Sequence, residues 1–157
     1  MTTTDKFVLF WNGIYSQWYE ASFTIDGISF NTCEQYMMYK KALLFGDKDI
    51  AKQILSTSIP DEQKSLGRMV KGFDRTIWDQ HCFSIVYEAN LAKFLQNPEL
   101  KKELIATGNR VIVEASPDDF IWGVKMRDTN ENIESPEKWG GSNLLGFAIM
   151  TVRNQLR

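Results

Sequence analysis

The sequence has few side chains that bind metals or carry redox chemistry. It contains one histidine, His81, and two cysteines, Cys33 and Cys82, among 157 residues. These residues show none of the short spacings that zinc sites use. Both cysteines lie in segments with a helical pattern, where a thiol packs as a small apolar side chain. We therefore expect a reduced, cytoplasmic protein with no metal site and no cofactor.

The sequence also lacks an excess of positive charge and long apolar runs. The sequence contains 18 Lys and Arg residues and 20 Asp and Glu residues, which gives a net charge of −2. Proteins that hold nucleic acid through its phosphates are usually basic. The first residues, Met1 to Lys6, lack the apolar core of a signal peptide, and no apolar run approaches a membrane span. We expect no membrane partner, while one or two placed cations suffice for a nucleotide-sized anion.

The length of the chain and its strand signals predict a small mixed fold. A chain of 157 residues fits one domain, over 1–157, with one core. Phe7 to Phe10 and Arg110 to Glu114 are short apolar runs typical of strands. Apolar residues alternate around Asp26-Gly27, which is a strong hairpin signal. With the helices described next, the predicted class is α+β, mainly α-helical, with a small antiparallel sheet or hairpin.

Capping residues mark the first helices. Thr32 is a good N-cap, and Gln35 three residues later completes a capping box. Gly46 is placed to end this helix. Asp47 is placed to begin a second helix, and Pro60 suits the first turn of a third.

The pattern of the second half of the chain predicts a long helix, an irregular stretch and a final helix. From Trp78 to Leu95 apolar residues occupy two opposite sides, which is typical of a helix inside the core. Asn97-Pro98 ends that helix. The stretch from Ser116 to Gly141 is long and polar, and such segments in compact domains are often functional. Asn143 is placed to cap a last helix, in which Leu145, Ile149, Val152 and Leu156 share one face.

A glutamate and a lysine share an unusual stripe on the helix after the hairpin. At 100° per residue, Glu34, Met38, Lys41 and Phe45 fall on one side. One interpretation is a solvated stripe, in which Glu34 only complements the helix dipole. The other is an active site. A lysine that is partly shielded from water loses its proton easily and can attack a carbon at the oxidation level of a carbonyl group. A neighbouring carboxyl group then serves as general acid or base. Periodicity alone leaves both open.

Residues of the later segments are candidates to complete such a site. Glu114 at a strand end precedes Asp119, Trp122 and Gly123 in one loop, although polar loops with one aromatic anchor are common. Arg68 follows a glycine and suits an anion. The run from Lys138 to Asn143 enters a helix N-terminus, where backbone N–H groups favour phosphate. No Ser or Cys nucleophile motif accompanies His81, so we expect it to be a core or rim residue.

Taken together, these residues resemble the NADAR (YbiA-like) family from about Phe10 to Arg153. The markers, in order along the chain, are Asp26-Gly27, the run from Cys33 to Ala42 with a lysine seven residues after its glutamate, Leu66-Gly67-Arg68, the Trp78 helix leading to Lys93-Phe94, Val113-Glu114, Asp119, Trp122-Gly123, Asn143 to Gly146, Met150 and Arg153. Each marker is short, but their order and spacing are specific.

The resemblance implies a compact, mainly helical hydrolase of N-ribosides. Members of the family act on phosphoribosylamino-pyrimidine intermediates of riboflavin biosynthesis, or reverse ADP-ribosylation by removing ADP-ribose from guanine bases. It implies Schiff-base chemistry at the ribose carbon for Lys41, with Glu34 in the same site. The partners it implies are a small nucleotide-like or ADP-ribosylated substrate, with ADP-ribosylated nucleic acid as a further candidate.

The chain departs from the family pattern near its N-terminus. Where the family often has Ser-Asn before an aromatic residue, this chain has Ser16-Gln17-Trp18. The expected assignment is thus catalysis by Glu34 and Lys41. The residues expected to bind substrate are Trp18, Arg68, Glu114, Asp119, Trp122, Gly123 and Asn143. The rival hypotheses are a non-catalytic module that binds ADP-ribose or a related nucleotide, and a structural protein whose charged stripe is solvated.

Overall fold

The computed structural model describes residues 1–157, and the chain divides into two units. Unit 1 consists of residues 1–16 and 98–157, and unit 2 of residues 17–97. Six helices and two small sheets confirm the predicted α+β class. No helix has the length and apolar character that crossing a membrane requires.

Unit 1 is built on a three-stranded sheet. Its elements are β1 (Thr2–Thr3), β2 (Phe7–Phe10), α5 (Pro98–Ala106), β5 (Val111–Glu114), a 3₁₀ turn (Pro136–Lys138) and α6 (Leu144–Leu156). The central β2 pairs antiparallel with β1 and parallel with β5, with Phe7 opposite Val111 and Phe10 opposite Glu114. Helix α6 packs on β5. Phe7, Leu9, Val113, Ala115, Val124 and Ile133 form an apolar cluster at the sheet. The parallel pair was not among the sequence predictions.

Unit 2 consists of a hairpin and four helices. Its elements are β3 (Phe23–Ile25), β4 (Ile28–Phe30), α1 (Cys33–Leu44), α2 (Lys48–Leu55), α3 (Pro60–Arg68) and α4 (Arg75–Gln96). Asp26 and Gly27 form the predicted turn, with φ of 51° and 79°. Helix α1 is central, because it packs against each of the other three helices.

The predicted caps of α1 are confirmed, with one correction. Thr32 accepts the Gln35 N–H at 3.0 Å, and Gly46 follows the last turn with φ of 74°. Gln35 does not close the capping box, however. Its Oε1 accepts the Asn31 N–H, and its Nε2 donates to the carbonyls of Ile54 and Thr57. Gln35 therefore ties α1 to the end of α2.

Helix α4 is buried on one side over most of its length. The predicted stripe of Trp78, Cys82, Ile85, Ala89 and Ala92 is buried throughout. On the opposite side Phe94 is fully buried, but Phe83 is exposed. His81 is exposed as well, so it lies at the rim of this helix and not in the core.

Candidate active site

The stripe on α1 is largely shielded from water. Glu34 and Met38 are 5% and 7% exposed, and Lys41 and Phe45 are half-buried. The interpretation of this stripe as a solvated face is therefore wrong. Thr32 starts the helix, so Glu34 falls in its first turn and Lys41 in its last. The spacing of seven residues places both side chains on one face.

Aromatic rings surround the amine of Lys41. Its Nζ lies 4.6 Å from the centre of the Phe73 ring and 5.8 Å from that of Trp78. Phe45 packs edge-on against Phe73, with ring centres 5.4 Å apart. The guanidinium carbon of Arg75 lies 5.6 Å from the centre of the same Phe73 ring. The amine therefore shares an aromatic environment with a second cation.

Burial and two nearby arginines shift Lys41 towards its neutral form, relative to an ordinary lysine. Partial burial lowers the pKa of the Lys41 amine, and the positive charges of Arg75 and Arg68 lower it further, while the Glu34 carboxylate opposes the shift. A neutral amine carries the lone pair that nucleophilic attack requires. Lys41, with its lowered pKa, and the carboxyl group of Glu34 thus share one helix face.

The segment before the hairpin joins this region at the start of α1. The backbone N–H of Glu34 donates to the Gln17 carbonyl at 3.0 Å, which fixes the segment beside the helix N-terminus. The next residue, Trp18, is 42% exposed, and the Lys64 Nζ lies 5.8 Å from its ring centre. Arg68 is exposed in the last turn of α3. Unit 2 therefore contains two cations, Lys64 and Arg68, and the accessible ring of Trp18.

The other predicted site residues lie in unit 1, where two of them shape the loop after β5. Asp119 accepts the N–H groups of Ile121 and Trp122 at 2.9 and 2.8 Å. The carboxylate of Asp119 therefore holds a turn that positions Trp122, whose ring is half-buried. Glu114, at the end of β5, is half-buried as well. Their predicted roles in substrate binding stay predictions.

Gly123 and Asn143 connect this loop to α6. A β-carbon on Gly123 would lie 3.0 Å from the Glu114 carbonyl oxygen, and the Gly123 carbonyl accepts the Asn143 N–H. Asn143 precedes α6 with φ of 51°, but its side chain does not cap the helix. Instead it accepts the Glu114 N–H and donates to the Ile112 carbonyl, both at 3.0 Å. Asn143 thus holds the predicted N-cap position, but its amide bonds to β5 and not to the helix. Substrate binding by both residues stays a prediction.

Phe73 and Arg75 are the residues that the sequence analysis missed. They lie in and just after the link between α3 and α4, which has no periodicity to indicate a function. The available signal was a large ring inside a polar run, Lys71-Gly72-Phe73-Asp74, directly before a capped helix. No group of three or more His, Cys, Asp or Glu side chains has a metal-binding arrangement.

Comparison with known proteins identifies the family. The model of the NADAR domain matches residues 9–157. The chain belongs to the NADAR family. This NADAR chain is 45% identical to "N-glycosidase R617" of Acanthamoeba polyphaga mimivirus. The alignment extends over 166 residues and covers 97% of each protein. It is 36% identical to "Protein irg-1" of Caenorhabditis elegans over 171 residues, which cover 98% of this chain and 81% of that protein.

A solved structure supports the same assignment for this NADAR chain. The NMR structure of the Escherichia coli protein YbiA matches with a TM-score of 0.80 and 26% sequence identity. The match covers 99% of this chain and 87% of YbiA. The resemblance drawn from the sequence markers is therefore confirmed, and so is the mainly helical α+β class.

Proposed function

We propose that this protein is an N-glycosidase that hydrolyses the bond between a base or amino-pyrimidine and ribose, phosphoribose or ADP-ribose. Membership of the NADAR family and 45% identity to a protein named N-glycosidase support the general activity. The observation that carries the mechanism is the Lys41 amine. It is half-buried among rings, its pKa is lowered, and it shares a helix face with the buried Glu34.

The proposed reaction uses Lys41 as nucleophile and Glu34 as acid. The lone pair of Nζ forms a bond to the anomeric carbon as the bond from that carbon to the base nitrogen breaks. The base nitrogen takes the bonding electrons and a proton from Glu34. The amine then loses a proton, and the ring oxygen leaves the anomeric carbon and is protonated, which gives an iminium ion. Water adds to that carbon and gives a proton to the Glu34 carboxylate, which forms a carbinolamine. The hydroxyl of the carbinolamine becomes the carbonyl of the free sugar as the Nζ–carbon bond breaks, and Nζ keeps the electron pair and takes the hydroxyl proton.

The charges around Lys41 suit a phosphorylated sugar. Arg68 and Arg75 both act on the Lys41 amine electrostatically, and Lys64 lies over the Trp18 ring. Guanidinium groups bind phosphate with paired hydrogen bonds. We propose that Arg68 binds a phosphate of the substrate and that Trp18 stacks on its flat part. Free ribosides should then be poorer substrates than their phosphorylated forms.

The test combines a substrate screen with chemical trapping. Chromatography should detect release of base from at least one member of a panel that includes phosphoribosylamino-pyrimidines and ADP-ribosylated guanosine. Borohydride added during turnover reduces an imine to a stable amine, so the intact mass should increase by the sugar moiety, with the label on Lys41.

Lys40 provides the matched control, because it is also half-buried but points about 100° away around the helix. Lys41→Ala should abolish trapping and reduce turnover at least a hundredfold, whereas Lys40→Ala should do neither. Binding of ADP-ribose without release of any base would favour the non-catalytic module. Turnover that survives Lys41→Ala would point to hydrolysis by Glu34 alone.

A further inference from the structure

We infer that Phe73 is a positioning residue whose ring stabilises the positive charge that Lys41 acquires when it bonds to the sugar. This inference rests on the N-glycosidase mechanism proposed above. It assigns a function to a residue that lies outside the predicted site and on a link between two helices.

The geometry places the ring of Phe73 directly against the reacting atom. The distance of 4.6 Å from Nζ to the ring centre falls within the range of cation–π contacts, and the Trp78 ring at 5.8 Å lies near its limit. Gly72 precedes Phe73 with φ of 75°, a backbone conformation that favours glycine. Phe45 packs against the ring edge-on and fixes its orientation.

Phe73 is also more exposed than a core residue. Its side chain is 40% exposed, whereas Trp78 is 6% exposed. Burial alone therefore gives little reason for a large ring at position 73. Contact with Arg75 and with the Lys41 amine, which becomes positive in the proposed reaction, gives a specific one, because the face of an aromatic ring is negative.

The charge of Lys41 changes during the proposed reaction, and this change makes the ring useful. The form of the amine that attacks is the neutral one, because it carries the free lone pair. As its lone pair forms the bond to the anomeric carbon, the base nitrogen receives the electrons of the broken bond, and the Lys41 nitrogen becomes positive. It loses this charge with a proton and becomes positive again in the iminium ion, until water adds. A ring that attracts the cation more than the neutral amine lowers the barrier, because it binds the transition state better than the ground state.

Charged groups from three helices face the amine. Arg75 on α4 and Arg68 on α3 disfavour a positive Lys41, and Glu34 on α1 favours one. Arg75 lies against the same ring, and it pairs with Asp79 at 3.7 Å. Burial and the two arginines lower the pKa of the resting amine, and the ring offsets part of the arginines' repulsion once the charge forms. The Phe73 ring thus favours the charged form of Lys41, whereas the two arginines disfavour it.

The test replaces the ring while keeping an apolar side chain. In Phe73→Leu we expect kcat to fall about two- to fivefold, as expected for loss of one cation–π contact, with KM within about twofold. Phe73→Tyr retains the aromatic face and should keep kcat close to the original value. Phe83→Leu is the matched control, since Phe83 is 36% exposed on the same unit and should show no effect.

The pH dependence separates an electrostatic role from simple shielding. Loss of the ring removes an interaction that favours the protonated amine, so the acid limb of the rate profile should move to lower pH by about half a pH unit. If Phe73 merely kept water away from Lys41, its loss would hydrate the amine and move the limb to higher pH. That outcome, or no movement, would overturn the inference.

A second measurement does not need turnover. Competitive acetylation of the amines by acetic anhydride at a series of pH values reports the titration of Lys41 by mass spectrometry. Phe73→Leu should titrate at lower pH than the original protein, with Lys40 as internal reference. Failure of borohydride trapping in the original protein would reject the proposed function. Unchanged titration of Lys41 would reject the role of Phe73 independently.

Discussion

Met38 on α1 lies against the bare backbone of Gly67 on α3. A β-carbon at position 67 would lie 1.9 Å from the Met38 sulfur and 3.2 Å from the Met38 β-carbon. Real β-carbons essentially never come within 3.0 Å of another heavy atom, so a side chain at position 67 would require Met38 to shift. Met38 belongs to the same stripe as Glu34 and Lys41. The fit at Gly67 therefore sets how close α3, with Arg68, lies to the candidate site.

Gly67→Ala should lower the free energy of unfolding by about 1–2 kcal/mol. Overpacking a core costs about 1–3 kcal/mol, and the better helix propensity of alanine returns up to about 1 kcal/mol. The measurement is urea denaturation at equilibrium. In a Met38→Ala background the sulfur and Cγ are gone, so the same change should be neutral or stabilising. An equal loss in both backgrounds would show that Met38 is not the group in conflict.

Arg75→Gln should move the acid limb of the rate profile to higher pH. The positive charge of Arg75 lowers the pKa of Lys41, so its removal raises that pKa, and a higher pH is then needed for the neutral amine. Arg68→Gln should have the same sign and a smaller effect. Lys64→Gln is the control, because Lys64 is not among the groups that shift Lys41. The displacement should shrink in 1 M salt, since Arg75 is exposed. A movement to lower pH would contradict this account.

Asn143→Ala should destabilise the protein by about 3 kcal/mol or more. It leaves the N–H of Glu114 and the carbonyl of Ile112 without their partner, and each buried polar group left unsatisfied costs about 1–3 kcal/mol. Urea denaturation measures the loss. Ser142→Ala at the exposed neighbouring position should stay within about 0.5 kcal/mol. Asn143→Gly tolerates the positive φ but lacks the amide, so near-normal stability of this variant would refute the hydrogen-bond explanation.

Both cysteine thiols should be unreactive in the folded protein. Cys33 is fully buried and Cys82 is 3% exposed, and burial raises the pKa of Cys33 to about 11 and also raises that of Cys82. A thiol that stays protonated and shielded does not attack a disulfide reagent. Titration with a chromogenic aromatic disulfide at pH 8 should find no thiol before denaturation and two afterwards. Rapid native reaction of either cysteine would place it at an accessible surface.

Local structure could be predicted because its determinants are adjacent in the sequence. Asp26-Gly27 specifies its turn through backbone preference, and Thr32 and Asp47 cap the helices that follow them. The pairing of β2 with β5 could not be predicted. It depends on two short apolar runs far apart in the chain, and neither run carries a partner-specific signal.

The candidate site was predictable to the same extent. Helical period alone brought Glu34 and Lys41 to one face, and the family resemblance gave that face a chemistry. The placement of Phe73 and Arg75 beside Lys41 could not be predicted, because it results from how α3 and α4 pack on α1. The N-cap position of Asn143 was predictable from its residue type, but the left-handed backbone and the hydrogen bond of its amide to β5 were not.

The parallel pairing of β2 and β5 has a consequence for biosynthesis. Phe7 and Val111 are partners in the sheet although 104 positions (111 − 7) separate them. The sheet of unit 1 cannot be completed on the ribosome until β5 has emerged, whereas unit 2 is one continuous stretch, residues 17–97, translated before β5. Protease protection in stalled nascent chains should therefore begin in unit 2. The edge of β2 that pairs with β5 stays open throughout the synthesis of unit 2, although β1 can already pair with its other edge.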